Sequence, residues 1–148
     1  MILETVADRI LKRVRTVPGL NANLGDGNPL QNFPAAILWT PDITYYRNGS
    51  MGSSGSTAAL QWPLWVLVGP ANPGTVPLSL HRYASSEGDH SIFAAFAPAA
   101  GEPTQTLDGL VDHALVQSFR GLKYEEVMGI GAWGGEFLIE THLRRSAS

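Results

Sequence analysis

Several short stretches of the sequence hold residue types that do chemistry in other proteins. Gly129–Gly134 reads GIGAWG and matches G-x-G-x-x-G, the glycine pattern of a dinucleotide-binding loop. That use requires a strand before the glycines and a helix after them. Here an alternating, strand-like pattern follows the glycines instead. We therefore expect a glycine-rich connection into the last strand and no bound cofactor.

Asp89, His90 and Ser91 are the residue types of a catalytic triad in consecutive positions. Consecutive side chains cannot form the relay, because the histidine must lie between two partners that the fold brings together. Aspartate or serine before an apolar run is typical of a helix N-cap. The motifs G-x-S-x-G and G-K-[ST] do not occur. These three residues therefore predict the start of a helix.

The histidines have no metal-site spacing. No pair has the i, i+4 separation of H-E-x-x-H, although His113 and His142 fall in two strand-like segments and could meet if those strands pair. Glu125 and Glu126 are adjacent, so in a strand they point to opposite faces and cannot act as a paired acid and base. Half-exposed histidines without a metal are the expectation. The four histidines are His81, His90, His113 and His142.

These patterns predict no catalytic, cofactor-binding or metal-ligating residues, and we expect no enzymatic activity. One alternative of a different class stays open. It is a small α+β enzyme or ligand-binding domain that uses His113, His142 and a carboxylate such as Asp112. It would need a concave pocket with convergent polar groups.

The composition is that of one globular domain, which we expect to span residues 1–148. Of these residues 44% are hydrophobic and 16% are charged, and there is no cysteine. The lack of cysteine excludes a disulfide framework and thiolate metal sites. A formal net charge of −3 argues against tight nucleic-acid binding through many phosphate contacts. No apolar run reaches the ~18 residues needed to span a bilayer, and charged residues interrupt any signal-peptide core near the amino terminus.

Apolar periodicity predicts the elements that position these residues. An amphipathic helix over residues 2–16 repeats apolar side chains every fourth position and ends at Pro18-Gly19. Residues 21–32 are turn-forming. Two short helices are predicted at Pro77–Ser85 and Ser91–Ala97. In the second of these, Ile92, Phe93 and Phe96 are expected to face the sheet.

Short apolar or alternating runs predict the strands. Helix, strands, helices and strands in this order indicate an α+β fold. We expect a mostly antiparallel sheet packed against the N-terminal helix and the short mid-chain helices. Prolines at both ends of the first run favour an edge or an early position. The predicted strands are Phe33–Thr40, Thr44–Arg47, Ala58–Gly69, Leu110–Phe119 and Glu136–Arg144.

The strand over Ala58–Gly69 is apolar on both faces. One face carries the even-numbered apolar residues from Leu60 to Val68, and the other carries Trp65 and Leu67. A strand of this kind is covered on both sides, by helices or by a neighbouring subunit. We predict that Trp65 and Leu67 contact another subunit. Pro63 cannot donate to a ladder, which predicts a missing or bulged pairing there.

A glycine- and serine-rich segment lies between two predicted strands. Residues 47–57 read RNGSMGSSGST, and we expect a flexible loop. It is either a plain hairpin connection, which costs little entropy, or a segment that becomes ordered against a partner. Arg47 and Met51 have the largest side chains in it. We predict that Arg47, Met51 and Ser54 contact a partner or a neighbouring subunit.

A family resemblance joins these segments. The runs FPAAILWTPDITYYRNGSMG, LQWPLWVLVGPANP, LHRYASSEGDHSIFAAF and VMGIGAWGGEFLIETHL are similar to the small tail terminator proteins of long-tailed, siphovirus-type bacteriophages, in the version found in phages of actinobacteria. The resemblance covers roughly residues 30–142 and is a pattern of apolar and glycine positions. The chain departs from it at Ser86–Asp89, where the family has a tighter turn, and in its longer Gly/Ser loop.

The resemblance implies a structural virion protein without cofactors. Copies of such a protein assemble into a ring, typically a hexamer. The ring caps the completed tail tube and offers a docking face to the head–tail connector. The implied partners are further copies of the chain, the major tail tube protein and the connector or stopper protein. Genomic DNA would pass through the ring without specific binding. The implied location is the tail–neck junction of the virion, assembled in the host cytoplasm.

Two other structural interpretations accompany this one. The chain could be another head–tail neck component, such as a stopper or completion protein. Stoppers tend toward all-β barrels, so the predicted helices favour the terminator. It could also be a general cytosolic oligomerisation module.

Overall fold

The structure, a computed structural model, describes residues 3–25, 33–47, 56–69, 76–98, 100–127 and 130–144. Three helices and six strands lie in these ranges, and the α+β class predicted from the sequence is confirmed. None of the helices described is both long and apolar enough to cross a bilayer. The elements are α1 (Leu3–Val14), β1 (Asn21–Leu24), β2 (Ala35–Leu38), β3 (Asp42–Arg47), β4 (Ser56–Gly69), α2 (Val76–Ala84), α3 (Ile92–Ala95), β5 (His113–Val127) and β6 (Ile130–Arg144).

The six strands form one sheet in the order β1-β2-β4-β6-β5, and β3 also pairs with β4. All pairings are antiparallel except that of β1 with β2. Strands β2 and β3 lie one after the other along the same edge of β4. The first pairs with Leu64–Leu67 and the second with Ser56–Gln61. Strand β4 is therefore hydrogen-bonded along both edges and forms the centre of the sheet.

The helices cover one face of this sheet and create the main core. Helix α1 buries Val6, Ile10 and Val14, none of which is accessible to solvent. These residues recur at every fourth position and therefore lie on one side of the helix, as the sequence predicted. Gly19 adopts a positive φ of 76° just after the helix, which only glycine accepts readily. The sheet residues that meet the helices include Leu38, Leu60, Trp62, Leu64, Val66, Phe137 and Ile139.

One buried hydrogen bond links β4 to β6 inside this core. Trp62 Nε1 donates to Thr141 Oγ1 over 3.0 Å, and both residues are buried. A buried polar group without a partner is costly, so this pair keeps the indole N–H satisfied in an apolar layer. The bond also fixes which residues of the two strands oppose each other.

The other face of the sheet carries a smaller apolar cluster, which we call the Trp65 cluster. Ile37, Leu67 and Ala132 form its buried centre, and Phe33, Trp39 and Trp65 pack against them half-buried. None of these described members belongs to α1, α2 or α3. Trp39 and Trp65 meet edge to face with ring centroids 5.4 Å apart. The prediction that β4 carries apolar residues on both faces of the sheet is therefore confirmed.

Several predicted details of the elements are wrong. Residues 21–24 form strand β1, although the whole of 21–32 was predicted to be turn. Strand β2 lies between β1 and β4, so of the two predicted options the edge position is wrong, while Pro34 directly precedes the first residue of the strand. Pro63 is paired with Leu138 in an unbroken register, and the irregularity in β4 falls between Leu67 and Gly69. Phe93 is 51% exposed, so it does not face the sheet.

Candidate functional site

The stem of the β3–β4 hairpin carries the predicted contact loop. The two strands pair continuously from Asp42 opposite Gln61 to Arg47 opposite Ser56. Arg47, Ser56 and Thr57 therefore belong to strands, so the loop is shorter than the predicted 47–57. Met51 and Ser54 lie outside the described residues, and of Arg47 only the strand position is described.

An exposed tyrosine marks this stem. Tyr45 is 75% exposed and lies opposite Ala58, two residues before Arg47. Tyrosine is enriched in protein-binding surfaces because it presents a large, amphipathic ring at low conformational cost. Sequence reasoning passed over Tyr45, although the Tyr, Ser, Gly and Asn composition of the segment is the signal typical of adaptable binding loops.

The structure places the two predicted interface residues differently. Leu67 is 2% exposed in the single chain, so almost none of its surface is left for a partner. Trp65 is half-buried, and its contact with another subunit stays a prediction. Gly25 lies so close to the Trp39 ring that an added Cβ would come within 2.4 Å of it. The chain itself therefore fills the centre of the Trp65 cluster and leaves its aromatic rim accessible.

Along the second half of β6, half-buried and fully buried side chains alternate. Glu136, Leu138, Glu140 and His142 are half-buried on the face that the described helices leave uncovered, while Phe137, Ile139 and Thr141 are buried on the other. This face of the sheet continues from the Trp65 cluster at one end to the histidines at the other. This partly exposed face of the described sheet is a candidate surface for a partner.

The structure brings His113 and His142 together. They are direct partners across β5 and β6, and their rings stack with centroids 5.3 Å apart and planes 17° from parallel. Asp112 Oδ2 lies 3.9 Å from His142 Nδ1, which is too long for a hydrogen bond. The three residues of the alternative enzyme hypothesis thus meet at one end of the sheet, with His142 and Asp112 accessible to solvent.

The glycines of the G-x-G-x-x-G match have a structural role. Gly131 and Gly134 lie within β6 and not in a loop before it, whereas Gly129 lies outside the described residues. A Cβ on Gly134 would come within 2.2 Å of the Val66 carbonyl oxygen, and one on Gly135 within 2.5 Å of the Phe119 ring. Glycine is therefore needed because the neighbouring strands approach closely, which is a different reason from the pyrophosphate contact of a nucleotide site.

Ser91 of the Asp-His-Ser stretch caps α3, as predicted. Its Oγ accepts from the Ala94 N–H over 3.0 Å and donates to the Ser85 carbonyl oxygen. His90 packs its ring edge-on against Tyr83, with centroids 6.3 Å apart. Burial raises the pKa of the Tyr83 hydroxyl, opposed in part by the charge of Arg82. These side chains join α2 to α3 and form no relay.

A strained turn precedes β5 and was not predicted. Leu107, Asp108 and Gly109 all have positive φ angles, of 52°, 61° and 84°. Gln105 holds the turn, because its side chain accepts from the Leu107 N–H and donates to the Ala97 carbonyl oxygen. The Asp108-Gly109 pair is a turn signal that could have revealed this turn.

Asp108 ties this turn to α1. Its carboxylate lies 2.6 Å from Arg9 Nη1 and 3.4 Å from Lys12 Nζ. The hydrogen bond from Arg9, together with the nearby charge of Lys12, lowers the pKa of the Asp108 carboxyl below its ordinary value. The arrangement is exposed and positions the turn.

Comparison with known proteins adds no family assignment. No protein-family model matches the chain, and no curated protein matches it either. Among the described residues, no group of three or more histidine, aspartate or glutamate side chains is arranged to hold a metal ion. The features that remain for a function are the hairpin stem, the uncovered sheet face and the histidine pair.

Proposed function

We propose that the chain is a structural subunit of a phage tail terminator, which closes into a ring on the finished tail tube and offers a docking face to the head–tail connector. The uncovered sheet face carries this proposal. A half-buried aromatic rim of Phe33, Trp39 and Trp65 lies on it, opposite the helices. Aromatic residues are enriched in the cores of protein interfaces, where they lose contact with water on assembly.

The fold supports the same proposal. An N-terminal helix and two short helices pack on one face of a mostly antiparallel sheet, as the resemblance to tail terminators implies. A homomeric ring needs a heterologous interface that closes, so two different surfaces of each subunit must meet. The aromatic rim and the hairpin stem with Tyr45 are two such surfaces. A formal net charge of −3 suits a channel through which DNA slides.

Loss of the protein in the phage that encodes it tests the proposal. A terminator stops tube growth, so particles that lack it should show tails of irregular, excessive length and no joined heads in negative-stain electron microscopy. Complementation with the full chain should restore both. Tails of normal length that fail to join heads would instead support the alternative neck component. Normal, joined particles would overturn both structural proposals.

The loop role has a separate test. Deletion of residues 50–55 leaves Asn48-Gly49 between Arg47 and Ser56, a two-residue connection of the type preferred in tight hairpins. We expect this variant to fold like the wild type but to fail in complementation. Met51→Ser keeps the length and removes the largest side chain of the deleted segment, so it tests this one predicted contact residue separately from the loop length. Uniform, joined tails from the deletion variant would contradict the loop role and leave the ring proposal standing.

A further inference from the structure

The histidine pair at the end of the β5–β6 ladder is not used by the proposed function. We propose that His113 and His142 form a two-histidine binding site for a divalent transition-metal ion such as Zn²⁺, Cu²⁺ or Ni²⁺. Neutral imidazole is a preferred ligand of these ions. The inference is independent of the ring and of the phage resemblance, since it depends only on the placement of two side chains.

The separation of the two rings fits a shared ion. Two imidazoles bound to one tetrahedral ion at about 2.0–2.1 Å have ring centroids roughly 5 Å apart. The centroids of His113 and His142 are 5.3 Å apart. The strands hold this spacing, because the two residues are direct partners in the ladder and β6 is paired with β4 on its other side. The backbone therefore needs no rearrangement to bring both rings to one ion.

Within the described part of the chain, no hydrogen bond engages a ring nitrogen of either histidine, and Asp112 Oδ2 lies 3.9 Å from His142 Nδ1. The rings lie 17° from parallel, so their nitrogens do not yet converge. Rotation about the bond from Cβ to the ring is required, and that torsion has a broad preference in histidine. Both residues are half-buried, so an ion can reach them from solvent.

The surroundings of the pair favour a cation. Asp112 is half exposed beside His142, and Glu140 lies on the same sheet face as His142, two residues before it. These carboxylates attract a cation without being placed as ligands. Among the described residues, no group of three or more such side chains is arranged to hold a metal ion. The pair therefore gives an open site of moderate affinity, with water in the remaining positions.

Bound metal would join the end of β6 to the start of β5. His113 follows the strained turn at Leu107–Gly109, and the Asp112 N–H donates to the His142 carbonyl oxygen over 2.9 Å. An ion held by both rings would add a side-chain link at the same point. Because the ion binds the folded chain and the two ligands are far apart in sequence, metal should raise the thermal stability of the protein.

Isothermal titration of the tag-free full chain with ZnCl₂, NiCl₂ and CuCl₂ tests this site. We expect one ion per chain with a Kd between about 1 and 100 μM, tightest for Cu²⁺. His113→Asn and His142→Asn should each weaken binding at least about tenfold. His81→Asn, in an exposed position on α2, should leave it unchanged. MgCl₂ should not bind, since Mg²⁺ prefers oxygen ligands.

A second measurement separates metal loss from misfolding. ZnCl₂ should raise the melting temperature of the wild type and of His81→Asn but not that of the two strand variants, whose circular dichroism without metal should match the wild type. Binding weaker than about 1 mM would overturn the proposal. So would binding that His113→Asn and His142→Asn leave unchanged, because the ion would then lie elsewhere on the surface.

Discussion

At the scale of single residues, the positions that resemble chemical motifs are explained by packing. Gly131 and Gly134 of the G-x-G-x-x-G match lie within β6, where Gly134 lies against the backbone of β4 and the neighbouring Gly135 lies against Phe119. The sequence showed that these glycines lacked the setting of a nucleotide loop. It could not show the reason for them, because the reason is the distance to Val66 and Phe119, which belong to other strands.

Gly134→Ala should destabilise the protein by about 1–3 kcal/mol, because the new methyl group would overlap the Val66 carbonyl oxygen and β4 would have to move. Urea unfolding followed by tryptophan fluorescence measures the change. Gly121→Ala is the matched control on β5, since no heavy atom lies within 4 Å of its added Cβ. Equal effects of the two substitutions would contradict the packing explanation.

The ion pairs of Asp108 predict a pH dependence of stability. Its pKa is lowered in the folded protein, so the charged carboxylate stabilises the fold above the pKa of the unfolded chain, and this contribution is lost as the pH falls through the folded pKa. Asp108→Asn should therefore be less stable than the wild type at pH 7. The difference should shrink toward zero in strong acid.

Urea unfolding across this pH range, at low and high salt, measures the effect. Asparagine is the suitable substitute because, like aspartate, it tolerates the positive φ of 61° at this position. High salt should reduce the difference at pH 7, since the pair is exposed. A difference that does not change with pH would show that the carboxylate charge is not what stabilises the turn.

At the scale of elements, apolar periodicity predicted the helix and the strand that have the strongest patterns. Helix α1 and strand β4 were found close to their predicted bounds, because each repeats its buried side chains with the period of its own structure. Strand β1 was missed, since only Ala22 of Asn21–Leu24 is buried and asparagine is a poor strand former. Its strand conformation comes from pairing with β2, which local sequence does not reveal.

The junction of α2 and α3 gives a prediction at this scale. Ser91→Ala should cost about 1–2 kcal/mol, because it removes the N-cap of α3 and the bond to the Ser85 carbonyl oxygen. Ser85→Ala is the control, since the Ser85 hydroxyl is exposed and its described hydrogen bond stays within its own turn, where it donates to the His81 carbonyl oxygen. We expect its cost to stay below about 0.5 kcal/mol in the same urea unfolding experiment. The reverse order would contradict the capping role.

At the scale of the whole molecule, the fold class could be predicted and the surfaces could not. The order of helices and strands indicated the α+β layout, and alternation in β4 indicated two covered faces. The alternation could not show whether the chain itself or a partner covers the second face of β4. Leu67 proved to be buried by its own chain, whereas Trp65 keeps an accessible edge. The sequence indicated that His113 and His142 could meet, and the register of β5 and β6 places them opposite each other.

Paired substitutions in the Trp65 cluster separate folding from assembly. Leu67→Ala should destabilise the isolated subunit by about 2–5 kcal/mol, because it leaves a cavity in the centre of the cluster. Trp65→Gln should destabilise it less but abolish ring formation on tail tubes. Urea unfolding and electron microscopy of capped tubes measure the two effects. Rings formed normally by Trp65→Gln would exclude the aromatic rim from the interface.

Strands β2 and β3 follow each other along one edge of β4. Each pairs with its own half of the central strand, so a change in one pairing need not affect the other. Register with β2 is set at Leu64–Leu67, while the hairpin with β3 uses only Ser56–Gln61. Insertions or losses at positions 48–55 therefore leave the alignment of the remaining strands unchanged. Related chains could vary the length and chemistry of the connection between β3 and β4 while keeping the rest of the sheet unchanged.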